Sequence, residues 1–182
     1  MFHVSYSMKN GFTLIELVIS IFILVVAIIG VYNSFSTVVV LTAGASSRFT
    51  ASYLVQEGIE IVRNMRDNNW LNNQDWKTGI SDINTDCSSG CEAYYQTGTS
   101  MDTRSGLTAF GSSGNYLNIK EGVFYSYDNT GSFVTTKFKR KITITKPNPL
   151  TTDVLKVSVL VTWKEKDENF SFQAEEYLYN WY

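Results

Sequence analysis

Apolar positions are unevenly spread along the chain. From Phe12 to about Tyr32 almost every residue is apolar, and no polar face recurs. A helix of about 21 residues rising 1.5 Å each spans the roughly 30 Å hydrocarbon core of a bilayer, so a transmembrane helix is predicted over 12–32. The pattern then turns amphipathic: Val38, Leu41, Ala45, Phe49, Tyr53, Ile59, Val62 and Met65 recur at near-helical spacing. Arg48, Gln56, Glu57, Glu60, Arg63 and Arg66 occupy other faces and read as a solvated side, with Glu60 and Arg63 spaced to pair. This second half of the helix is expected over 33–68, with Gly44 and Gly58 as the expected bends and Asp67, Asn68 and Asn69 ending the periodicity. From Phe12 to Asp67 such a helix would be roughly 84 Å long.

The period disappears from Trp70 to Gly114, where Asn, Asp, Ser, Thr and Gly dominate. A linker of this length is expected to be a surface excursion, and 69–115 is read as a variable connecting region. Strand signals follow. Segment 116–127, "YLNIKEGVFYSY", leads through "DNTG" into 133–145 and reads as a hairpin. In 154–164, Leu155, Val157, Val159, Val161 and Trp163 alternate with Lys156, Ser158, Leu160 and Thr162, the period of a half-buried strand. A last strand, 169–178, follows the charged turn "EKDE". The expected fold class is α+β: a long N-terminal helix packed on an antiparallel sheet formed by 116–182.

Composition narrows the function. The 182 residues are 44% hydrophobic and 18% charged with a net charge of -2, which gives no global reason to expect nucleic-acid binding. Lys137, Lys139, Arg140 and Lys141 form a basic run that could touch DNA or an anionic surface. Alternating lysines on an exposed strand more commonly discourage edge pairing. The aromatic "YLYNWY" at 177–182 is read as core and sheet-edge packing, with a binding surface as the alternative. The single histidine is His3, and there are two cysteines, Cys87 and Cys91. A sulfur-based metal site normally needs four ligands, so no metal and no cofactor are expected. If the domain is exported, a Cys87–Cys91 disulfide is preferred over two free thiols. Asp82, Asn84 and Asp86 alternate as in a calcium loop, but Cys87 stands where that loop needs glycine and Ala93 where it needs an acid. No nucleophile has an accompanying base, so an enzyme is not expected.

One residue breaks the apolar run. Glu16 is the only charged residue between Lys9 and Arg48, and a carboxylate in hydrocarbon costs a few kcal/mol unless it has a partner. Positive charge ahead of the segment, at Lys9 and the N-terminal amine, leaves the N-terminus cytoplasmic and the rest outside. An ordinary signal peptide has a shorter apolar block; cleavage near "TAGASS" (42–47) and a plain membrane anchor are the alternatives.

The stretch "KNGFTLIELVISIFILVVAIIG", Lys9 to Gly30, resembles the class III leader and N-terminal helix of type IV pilins and of the pseudopilins of type II secretion systems. The match is letter for letter from Gly11 to Leu17. "YLVQEGIEIVRNMRDNNW", Tyr53 to Trp70, also looks like the helix end of minor pilin-like proteins. The resemblance implies that residues 1–11 are a leader, removed by prepilin peptidase between Gly11 and Phe12 with methylation of the new Phe12 amine. It further implies that Glu16 pairs with the N-terminal amine of a neighbouring subunit during assembly. A leader starting at Met8 would have the typical length, whereas one starting at Met1 is long. Many major pilins carry a proline partway along the helix, and "IIGVYNSF" has none, which favours a minor subunit or a pseudopilin.

The implied function is a structural, minor pilin-like subunit of a type IV pilus. The alternatives are a type II secretion pseudopilin, or a membrane-anchored extracellular binding module or adhesin that never polymerises. The implied partners are other pilin subunits, prepilin peptidase, the membrane platform of the assembly machine and the lipid bilayer, with nucleic acid as a minor alternative. The implied location is the cell membrane, single-pass with the head outside, and then an extracellular filament.

Overall fold

The structure is a computed structural model that describes residues 11–81, 86–100, 106–111, 115–120, 122–127, 133–148 and 153–181. The leader residues before Gly11, Asp82 and Asn84 of the calcium-like pattern, and the "DNTG" turn lie outside them. The chain divides into two compact units, Met1–Ser46 and Ser47–Tyr182, and helix α1 (Leu14–Leu71, 58 residues) contributes to both.

The described part of the first unit is helical from Leu14, and its apolar side chains are uncovered. Phe12 is 85% exposed, and even the most covered large apolar side chain here, Val25, is 46% exposed. Its hydroxyls turn inward on the helix itself: Ser20 donates to the Glu16 carbonyl at 2.7 Å, Ser34 to Gly30 at 3.0 Å, Thr37 to Asn33 at 3.1 Å and Thr42 to Val38 at 2.8 Å. Such back-bonding leaves these side chains compatible with a surrounding that offers no hydrogen bonds. By length and composition, α1 is able to cross a membrane.

In the second unit the rest of α1 lies on an antiparallel sheet. The strands are β1 (Cys91–Glu92), β2 (Thr108–Ala109), β3 (Tyr116–Lys120), β4 (Phe124–Ser126), β5 (Phe133–Thr145), β6 (Val154–Glu165) and β7 (Glu168–Tyr179). β5 is central. One edge pairs with β6, which in turn pairs with β7; the other edge pairs with β3 along its first half and with β1 at Ile142. β6 buries the alternating face read from its sequence, with Leu155, Val157, Val159 and Val161 fully covered and Trp163 5% exposed. They join Ala51, Leu54, Val55, Val62 and Met65 of α1 in one core.

Several expectations are corrected. The buried stripe of α1 is Ala51, Leu54, Val55, Ile61, Val62 and Met65, whereas Phe49 and Tyr53 are 66% and 69% exposed. Phe49 and Tyr53 lie off the face that the sheet covers, whereas Val62 and Met65 of the same spacing lie on it. Gly44 and Gly58, the expected bends, both lie within the uninterrupted helix. Gly58 instead permits close approach: a Cβ there would stand 2.9 Å from Val159 Cγ1 and 3.2 Å from Arg140 Cδ. The helix passes Asp67 and ends at Leu71 in a Schellman motif, with Asn73 at φ 55°, Asn73 N–H donating to the Trp70 carbonyl at 3.0 Å and Gln74 N–H to Asn69 at 2.8 Å.

Segment 116–127 is not one strand. It turns at Gly122 (φ 73°) into the β3–β4 hairpin, and β5 pairs with β3 rather than with β4. Nor is the segment after Trp70 a mere excursion: Trp76, Ile80, Cys87, Cys91, Ala93 and Tyr94 are buried, and β1 and β2 join the sheet. The basic run on β5 is central rather than at an edge, and it splits by strand alternation. Arg140 is fully buried, donating to the Leu54 carbonyl at 3.1 Å, to Glu57 at 2.5 Å and to the Ala93 carbonyl. Glu57, read as part of a solvated face, is therefore the partner of a buried guanidinium.

Candidate processing and assembly site

Gly11, Phe12 and Thr13 precede the helix, and all three are exposed. Among the described residues, chain neighbours aside, no atom comes within 4 Å of where a Cβ would stand on Gly11. The helix starts where it does because Thr13 caps it. The Glu16 N–H donates to Thr13 Oγ1 at 3.3 Å and the Leu17 N–H to the Thr13 carbonyl at 3.2 Å. Thr13-Leu14-Ile15-Glu16 has the spacing of a capping box, with Glu16 at the third helical position. A carboxylate in the first turn also meets the positive end of the helix dipole. The T-x-x-E spacing in the sequence is the signal of this cap.

Capping supplies Glu16 with a local role, but it does not complete the carboxylate. Among the described residues no cationic side chain pairs with it. The side chain is exposed at the head of an apolar helix, one turn from the residue that cleavage would make N-terminal. The arrangement can therefore accept a positive charge from outside the chain.

The remaining candidates are in the second unit. Cys87 and Cys91 are joined by a disulfide, both 2% exposed. The loop they close is pinned to the sheet by the Ile144 N–H, which donates to the Cys87 carbonyl at 3.1 Å, and by the Phe110 N–H, which donates to Gly90 at 3.0 Å. Gly90, inside the loop, has φ 113°. Asp86 accepts from the Ser88 N–H at 2.8 Å, and the backbone and hydroxyl of Ser88 hold its carboxyl below the usual range. Among the described residues no group of three or more metal-ligating side chains forms a cluster. Lys137, the first of the basic run, donates to Ser47 Oγ at 2.7 Å and pairs with Glu165. Lys139 stands 4.4 Å from the Tyr116 ring centroid and Lys141 5.7 Å from that of Phe110. The run is thus distributed over separate contacts.

Comparison with known families agrees with the geometry at the front of the helix. Residues 6–32 match the family model described as the prokaryotic N-terminal methylation motif, the motif of the class III leader found in type IV pilins and pseudopilins. No curated protein and no solved structure matches the chain.

Proposed function

We propose that this chain is a structural, minor pilin-like subunit of a type IV pilus, held in the membrane and assembled through its N-terminal helix. Prepilin peptidase cuts between Gly11 and Phe12 and methylates the Phe12 amine, and Glu16 then takes the methylated amine of a neighbouring subunit. The observation that carries this reading is the methylation motif at 6–32, set on a helix whose apolar side chains the chain itself leaves uncovered. Burying a carboxylate is unfavourable until a cation meets it, so Glu16 would favour the one axial offset at which the neighbour's amine arrives. In this reading the head lies outside the membrane.

A type II secretion pseudopilin is the second reading, supported against a major pilin by the same observation that supports a minor one. The helix continues without proline or interruption from Leu14 to Leu71. Either way the partners are other pilin-like subunits, the peptidase, the assembly platform and lipid.

The test is the intact mass of the protein from native membranes or sheared filaments, compared with the same protein made without prepilin peptidase. A chain starting at methylated Phe12 is expected. A retained leader, or cleavage near Ser47, would overturn the filament reading and leave an anchored or secreted binding domain.

A further inference from the structure

Three of the four tryptophans line one cleft in the second unit. Trp70 stands near the end of α1, Trp76 follows the helix and Trp181 follows β7. The cleft is open to solvent and has a volume of about 1280 Å³, large enough for a ligand of several rings. Its aromatic wall is held in place. The Trp70 and Trp181 ring centroids are 6.3 Å apart with planes inclined at 54°, and the Arg66 guanidinium lies 4.7 Å from the first and 5.4 Å from the second. Arg66 is only 5% exposed and its Nε donates to Asp67 at 2.8 Å. A buried, ion-paired arginine therefore fixes two indoles, yet Trp181 remains 71% exposed. A large aromatic ring held in orientation and still presented to water is the usual mark of a contact surface.

The chemistry of the cleft selects among ligands. A cationic ligand would seek an aromatic face, but the Arg66 guanidinium already lies beside both Trp70 and Trp181, and Lys77 stands 5.8 Å from the Trp76 ring centroid. An anionic ligand would meet the carboxylates of Asp67, Asp75 and Asp153. A neutral ligand with an apolar face and a polar edge fits both conditions. Sugar rings have this form: C–H groups cover a flat indole, while hydroxyls at the ring edge bond to carboxylates and amides such as Asp75 and Asn180. We propose that this cleft binds a neutral oligosaccharide, with one pyranose ring stacked on Trp181 and its hydroxyls hydrogen-bonded to Asp75 and Asn180. The site requires no polymerisation, so it stands apart from the filament reading.

The test uses the full chain in phosphatidylcholine nanodiscs, because glycoside detergents would compete. Cellohexaose, maltohexaose and chitohexaose are titrated by calorimetry and tryptophan fluorescence. Saturable binding of at least one is expected. Trp181→Ala should weaken that binding about tenfold or more, the equivalent of about 1.4 kcal/mol, with the melting temperature unchanged. Trp181→Phe should keep most of the affinity. Asp75→Ala, on an exposed turn, should weaken binding; it also removes the acceptor of the Lys77 N–H at 3.0 Å, so its melting temperature is measured beside its affinity. Failure of all three sugars to bind at concentrations up to about 10 mM would overturn the proposal, and so would binding that Trp181→Ala and Asp75→Ala leave unchanged.

Discussion

Glu165 ties three parts of the second unit together. Its carboxylate accepts from Ser47 at the start of that unit and from Lys137 on β5, while Glu165 itself ends β6. The Lys137 ammonium and then the Ser47 hydroxyl hold its carboxyl below the usual range, and the Ser88 contacts do the same for Asp86. A carboxyl depressed in the folded state adds stability above its unfolded pKa and loses it as the pH falls through the folded one. The melting temperature should therefore decline as the pH falls from about 5 towards 3. Glu165→Gln should flatten part of that decline in a pH series of thermal melts; an unchanged slope would mean that the Ser47–Lys137–Glu165 cluster contributes nothing.

Gly58 brings helix α1 close to Val159 of strand β6. Alanine at position 58 raises helix propensity by about 1 kcal/mol, but its methyl would stand 2.9 Å from Val159 Cγ1, and overpacking of this kind costs about 1–3 kcal/mol. The clash should win: Gly58→Ala should lose about 1 kcal/mol in denaturant unfolding. Adding Val159→Ala to Gly58→Ala should cost less than Val159→Ala costs alone, since the new methyl then fills space. Equal costs would show that the helix can shift instead. At this level the sequence was half legible. The alternation in β6 marked its buried face correctly, because a strand with one covered side repeats every two residues. The phase of α1 around Phe49 and Tyr53 was misread, because both are apolar and periodic yet lie off the face that the sheet covers. Arg140 was hidden for the complementary reason: a basic residue in a basic run gives no sign that Leu54, Glu57 and Ala93 supply its partners.

The two units differ in what covers them. Ser47–Tyr182 has a core of its own drawn from α1 and the sheet, whereas the helix before it keeps its apolar side chains exposed. A polypeptide beginning at Ser47 should therefore be soluble and melt cooperatively, while the chain from Phe12 should require detergent or lipid, as sedimentation of the two with vesicles would show. An aggregated or non-cooperative 47–182 fragment would mean that the earlier helix is needed for folding. The long apolar helix, the motif from Gly11 to Leu17 and the order of helix before sheet were all readable in the linear chain, because hydropathy, caps and alternation are local properties. The pairing of β5 with β3, the burial of Trp76 and Tyr94, the partners of Arg140 and the gathering of Trp70, Trp76 and Trp181 came only with tertiary structure. Each depends on which segments distant in the chain meet, and no local period encodes that.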